Sequence, residues 1–73
     1  MKLLETKTIG DVRASLYEEK YGYTFKIKAR LKDGKLYEVG RSYAYYNDLG
    51  NARKKMLTDL YDITHQLDML GRI

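Results

Sequence analysis

The 73-residue sequence has no cysteine, no proline and no tryptophan, and only one histidine, His65. Without cysteine there is no disulfide framework, no thiolate metal site and no cysteine nucleophile. One histidine leaves no pair to hold zinc. No apolar run approaches the ~20 residues that span a bilayer, and residues 1–7 lack the apolar core of a signal peptide. No Walker loop, GxGxxG or Ser/His/Asp set is present. A chain this short buries only ~60% of its unfolded surface, too little for a deep catalytic cleft. We therefore expect one cytoplasmic domain over residues 1–73, not an enzyme, with no cofactor and no metal.

What is present is patterned charge and tyrosine. Fourteen Lys/Arg against ten Asp/Glu give a net charge of +4. The hydropathy period changes near Tyr46. Before it the period is two. Val12, Ala14 and Leu16 alternate with polar residues. Tyr23, Phe25, Ile27, Ala29 and Leu31 then alternate with Thr24, Lys26, Lys28, Arg30 and Lys32, which reads as a half-buried strand with one apolar and one basic face. A third, less regular run covers residues 35–45, with Tyr37, Val39 and Tyr43 on its inner face. A polar segment ending at Gly22 joins the first two runs. Between the second and third, a three-residue loop at Lys32, Asp33 and Gly34 matches most cross-strand pairs. It sets Ala29 opposite Tyr37, Ile27 opposite Val39, Tyr23 opposite Tyr43 and Lys28 opposite Glu38. The misfit is Phe25 opposite Arg41, which a bulge near Gly40 would relieve.

After Tyr46 the period is helical. Leu49, Ala52, Met56, Leu60, Ile63, Leu67 and Leu70 follow three- and four-residue steps. Asn47, Asp48 or Asn51 can cap the start and Gly71 the end. The predicted fold is α+β: a three-stranded antiparallel meander packed against one long C-terminal helix, β-β-β-α. Residues before Thr8 either extend the first strand or add a short one.

The basic face is the strongest functional feature. Residues 20–41 carry seven basic and two acidic side chains, a local +5. Strand alternation points Lys26, Lys28 and Arg30 the same way, and Arg13 joins them from the first strand. Arg41 and the triplet Arg53, Lys54 and Lys55 lie at the margins. The triplet falls near the N-terminal end of the helix, where the macrodipole disfavours cations. An anionic partner would relieve this like-charge repulsion, which makes these residues a candidate nucleic-acid surface. The plainer reading is a solubilising outer face that discourages edge pairing; an acidic protein surface is a third. Seven of the eight tyrosines fall between positions 17 and 46. Tyr23, Tyr37 and Tyr43 read as sheet core, whereas Tyr17, Tyr21, Tyr45 and Tyr46 are candidates for exposure. Of these, Tyr17, Tyr45 and Tyr46 are interface candidates, and Leu67 and Leu70 at the helix end suit a homodimer. His65 lies off the apolar stripe and reads as a solvated helix residue.

The run Thr24-Phe25-Lys26-Ile27-Lys28-Ala29-Arg30, the turn at Asp33-Gly34, a further strand and a cap at Asp48 resemble the arm-binding N-terminal domain of phage-type integrases. The resemblance covers residues 12–61. It implies a three-stranded sheet laid in the DNA major groove, one helix behind it, and Arg13, Lys26, Lys28 and Arg30 facing DNA. The stretch Leu16-Tyr17-Glu18-Glu19 followed by Lys26-Ile27-Lys28-Ala29-Arg30 is also similar in style to small phage accessory proteins of the anti-CRISPR kind. That resemblance implies a protein acting in the host cytoplasm that binds or inhibits a host protein. A phage structural or assembly component is the remaining alternative.

Overall fold

The computed structural model describes residues 1–73. Four strands precede the helix: β1 (Lys2–Ile9), β2 (Val12–Glu19), β3 (Gly22–Arg30), β4 (Leu36–Arg41) and α1 (Leu49–Met69). The sheet is an antiparallel meander in the order β1-β2-β3-β4. The expected three strands are thus corrected to four. The added strand begins at Lys2 and pairs along β2 from Lys2↔Glu18 to Ile9↔Val12, with a bulge between Leu3 and Glu5. Its inner face is mostly polar, Glu5 and Lys7 lying opposite Leu16 and Ala14, so an edge strand facing water leaves no clean apolar alternation. The hairpin itself has a local cause. Gly10 takes φ 57 as the first residue of a two-residue turn between Ile9 and Val12, the place where a type II′ hairpin requires positive φ.

The β3–β4 register places Ala29 opposite Tyr37 and Lys28 opposite Glu38, as expected. Then it slips. Val39 is bulged out, Ile27 meets Gly40, and Arg41 lies opposite Lys26. A two-against-one step moves every later residue to the other face. The slip therefore carries Arg41 off the apolar side, where the regular register would have set it against Phe25, and onto the basic one. It also overturns the Tyr23–Tyr43 pairing. Tyr23 bridges Tyr46 instead, through two backbone hydrogen bonds of 2.8 and 2.9 Å. The Ser42 amide donates to the Phe25 carbonyl at 3.0 Å, and the Phe25 amide donates to Ser42 Oγ at 3.1 Å. Residues 43–45 are left as an arch outside the sheet.

The core is one layer between sheet and helix. Val12, Ala14 and Leu16 of β2 and Phe25, Ile27 and Ala29 of β3 meet Ala52, Met56 and Leu60 of α1, all at most 1% exposed. Asp48 caps the helix, its Oδ1 accepting the Gly50 amide at 3.0 Å. At the other end the amides of Gly71 and Arg72 donate to the carbonyls of Asp68 and Leu67, the paired bonds of a Schellman stop. The Arg72 carbonyl then accepts the Lys32 amide at 3.0 Å, tying the C-terminus to the β3–β4 turn. No helix is long and apolar enough to cross a membrane.

Candidate nucleic-acid interface

The helix covers one face of the sheet and leaves the other open. Side chains alternate along each strand, so the partners of the buried set form the outer face. In register these are Arg13 opposite Lys28, Ser15 opposite Lys26, and Tyr17 opposite Thr24. On the far side Lys26 faces Arg41 and Arg30 faces Leu36. A shallow trough of about 360 Å³ runs over this face, its floor and rim including Arg13, Ser15, Tyr17, Lys26, Lys28 and Arg30.

The cations of this face divide into two groups. Arg41 is neutralised by Glu38, its Nε donating to Oε2 at 2.9 Å and its Nη2 also contacting that oxygen. Arg30 is tied to the β3–β4 turn, Nη1 donating to the Gly34 carbonyl at 2.7 Å. Arg13, Lys26 and Lys28 take part in none of the ion pairs of the molecule. Arg13 and Lys28 are exposed and Lys26 is half-buried. Like charges directly opposite one another across a sheet destabilise it, and here Arg13–Lys28 is such a pair, whereas Lys26 lies opposite an Arg41 whose charge Glu38 offsets. Of the acids nearby, Glu38 is engaged as above and Glu19 accepts from the Thr24 hydroxyl at 2.5 Å, while Asp11 lines the same trough without an ion-pair partner. The three unpaired cations thus share the open face, with Arg30 and Arg41 oriented by partners at its border.

The other sequence candidates lie elsewhere. Arg53, Lys54 and Lys55 belong to the helix layer, on the far side of the sheet. Arg53 reaches across to β1, Nε donating to Glu5 Oε1 at 2.8 Å. Lys55 pairs with Asp59 at 3.0 Å one turn along the helix, and the Asp59 carboxylate raises the Lys55 pKa. Only Lys54 of the triplet is exposed and unpaired. The structure thus gives two of the three an intramolecular partner that helical spacing or a contact 48 residues away supplies.

The tyrosines are redistributed. Tyr17 lines the trough. Tyr46 is half-buried, bridged to Tyr23 and stacked obliquely on Phe25 with centroids 6.3 Å apart, so it serves the fold. Tyr43, expected in the core, is 94% exposed on the arch, because the Val39 bulge and the Tyr23–Tyr46 bridge displace it from the ladder. Tyr45 meets Tyr21 edge to face at 5.9 Å, and the Lys20 ammonium lies 5.4 Å from the Tyr21 ring centre. At the helix end Leu67 packs against the core while Met69 and Leu70 are each 72% exposed. His65 is exposed on α1, beside a shallow groove that also includes Asp11 and Asp68. Sequence reasoning missed β1's share of the trough, Thr8 and the Gly10–Asp11 turn; the signal available was a Gly-Asp pair between Ile9 and Val12. No protein-family model, curated protein or solved structure matches this chain.

Proposed function

We propose that this chain is a small, non-enzymatic nucleic-acid-binding module of the phage or mobile-element accessory type, and that it binds through the outer face of its sheet. One observation carries the reading: Arg13, Lys26 and Lys28 lie on adjacent strands, in register, without ion-pair partners, on the face the helix leaves open. Placing unpaired cations together costs self-repulsion that a polyanion removes, and releasing the counterions of that polyanion supplies the binding free energy. Arg30 and Arg41 border the same surface, each already oriented by a partner.

The test is a fluorescence anisotropy titration of the purified chain against labelled oligonucleotides at two salt concentrations. Neutralising three or four phosphates weakens binding to duplex by about 40-fold or more between ~50 and ~200 mM salt. Lys28→Glu lowers affinity for every sequence and reduces the salt slope by about one. Binding that ignores both salt and Lys28→Glu removes this face from consideration. A second reading, a protein-binding accessory or assembly component that also self-associates, draws on Met69 and Leu70, bare at the helix end. Its binding would follow shape and apolar contact rather than salt.

A further inference from the structure

The tyrosine arch beside the basic face adds no residue to the buried core. Its two ends are fixed. Ser42 is bonded to Phe25 through both backbone and hydroxyl, and Tyr46 is bonded to Tyr23 at 2.8 and 2.9 Å. Between these anchors the chain leaves the sheet and returns within three residues, Tyr43, Ala44 and Tyr45. Two of the three are large aromatics. Tyr43 is 94% exposed and Tyr45 50%, and Tyr21, which Tyr45 touches, is 67% exposed. Tyr43, left this bare, contributes almost no burial, so stability does not account for its ring.

The arch lies next to the cations. Only Ser42 separates Tyr43 from Arg41, so their Cα atoms are at most ~7 Å apart. Arg41 is the register partner of Lys26, and cross-strand neighbours have Cβ atoms ~4.5–5.5 Å apart. A backbone that follows Lys28 and Lys26 toward Arg41 therefore reaches the foot of the arch that carries Tyr43. In a duplex the faces of the bases are already stacked on their neighbours, and a projecting ring has nothing to stack on. In a single strand those faces are free. Proteins that hold single strands without sequence preference combine a basic track for the backbone with aromatic rings for the bases, and both parts occur here on adjoining segments.

Building on the proposed nucleic-acid reading, we infer that the ligand is single-stranded, with its phosphates on the Arg13–Lys26–Lys28 surface and unpaired bases stacked on Tyr43 and Tyr45. Tyr21 braces Tyr45 from behind through their edge-to-face contact, and Lys20 adds a cation at the same end. Sugar identity lies outside this chemistry, since stacking and charge serve DNA and RNA alike.

The experiment measures affinities of the full chain for a labelled mixed-sequence single strand of about a dozen nucleotides, as DNA and as RNA, and for the same sequence as duplex, at ~50 mM salt. Wild type is expected to prefer the single strand. The pair Tyr43→Ala and Tyr45→Ala is expected to weaken single-strand binding about 5- to 100-fold, the range of one stacked base, while duplex binding stays the same. Tyr43→Phe and Tyr45→Phe keep the ring and retain the affinity. Tyr43→Ala alone disturbs no buried group, so circular dichroism should match wild type and the loss can be assigned to contact. With no tryptophan in the chain, quenching of tyrosine emission on binding gives an independent signal for stacking. A wild type that prefers duplex, or an Ala pair that binds single strands undiminished, overturns the inference and leaves the basic-face reading standing. Absence of binding to every oligonucleotide at low salt overturns both.

Discussion

The two faces of this sheet are built from the same strands and differ in everything else. Six inner residues of β2 and β3 are at most 1% exposed. Their immediate neighbours in sequence, Arg13, Ser15, Lys26, Lys28 and Arg30, lie under no other element and line an open trough. A period of two makes both faces at once, because each residue that points toward the helix forces the next one away from it. The inner face is held by burial and the outer face is merely carried by it. A substitution on one should change stability and on the other should change binding, and confusing the two would defeat the proposed function.

The sharpest way to break that division is a matched pair on β3. Phe25→Ala removes a ring from the centre of the core and is expected to cost about 3–5 kcal/mol, a large part of the ~4–11 kcal/mol typical for a domain of this length. Lys28→Ala, three residues on, should stay within about 0.5 kcal/mol of wild type. Urea denaturation of the two variants measures both. Equal losses would mean that the outer face is structural after all.

A smaller effect tests how the arch is anchored. Gly22 has φ 139, and a Cβ placed there would lie 2.6 Å from the Tyr46 carbonyl oxygen. Backbone cannot retreat as a flexible side chain can. Gly22→Ala is expected to cost about 1–3 kcal/mol, and to loosen the Tyr23–Tyr46 bridge that fixes one foot of the arch. Amide hydrogen exchange at Tyr23 and Tyr46 should rise in this variant while that of Ile27 stays slow. Unchanged exchange at both would show that the bridge does not depend on this close approach.

The smallest effect concerns the margin of the inner face, beyond the helix. Tyr37 lies opposite the buried Ala29 yet is 40% exposed. Its hydroxyl donates to Asp33 Oδ2 at 2.5 Å. That bond, helped by the Lys35 amide, holds the Asp33 carboxyl below the ordinary carboxylate range, and the Asp33 carboxylate pushes the Tyr37 phenol above its own. Because the folded Asp33 value is depressed, its stabilising share is present at neutral pH and is lost as pH falls through that value. Because the folded Tyr37 value is raised, its share is present at neutral pH and is lost as pH rises through it. Tyr37→Phe should return the Asp33 carboxyl toward its ordinary range in an NMR titration, with little change in global stability, since the pair is solvent-exposed.

How much of this could be read from the residues depends on how local the cause was. The alternation from Tyr23 to Leu31 and the seven-residue apolar stripe of the helix are short-range patterns, and β3 and α1 lie where those patterns place them. The Asp48 cap and the Gly71 stop are local in the same way. β1 was obscured because it pairs on one edge only and has no fully buried side chain, so its apolar alternation is weak. The Arg53–Glu5 pair was out of reach because its partners are 48 residues apart. The bulge expected near Gly40 is present, at Val39, but Tyr43 read as core because its pairing with Tyr23 ignored the change of face that such a bulge imposes.

The sequence by itself determined the periods, the caps, the tight turns and the segregation of charge, since each depends on neighbours a few residues away. Tertiary structure decided that Arg53 of the helix would reach Glu5 on the edge strand. It also decided that Tyr46, not Tyr43, would close onto Tyr23, and hence that Tyr43 and Tyr45 would be lifted clear of the sheet. Those outcomes depend on the helix settling over β2 and β3 and on Tyr46 closing onto Tyr23. Both are contacts between segments far apart in the chain, whose free energy no local pattern records.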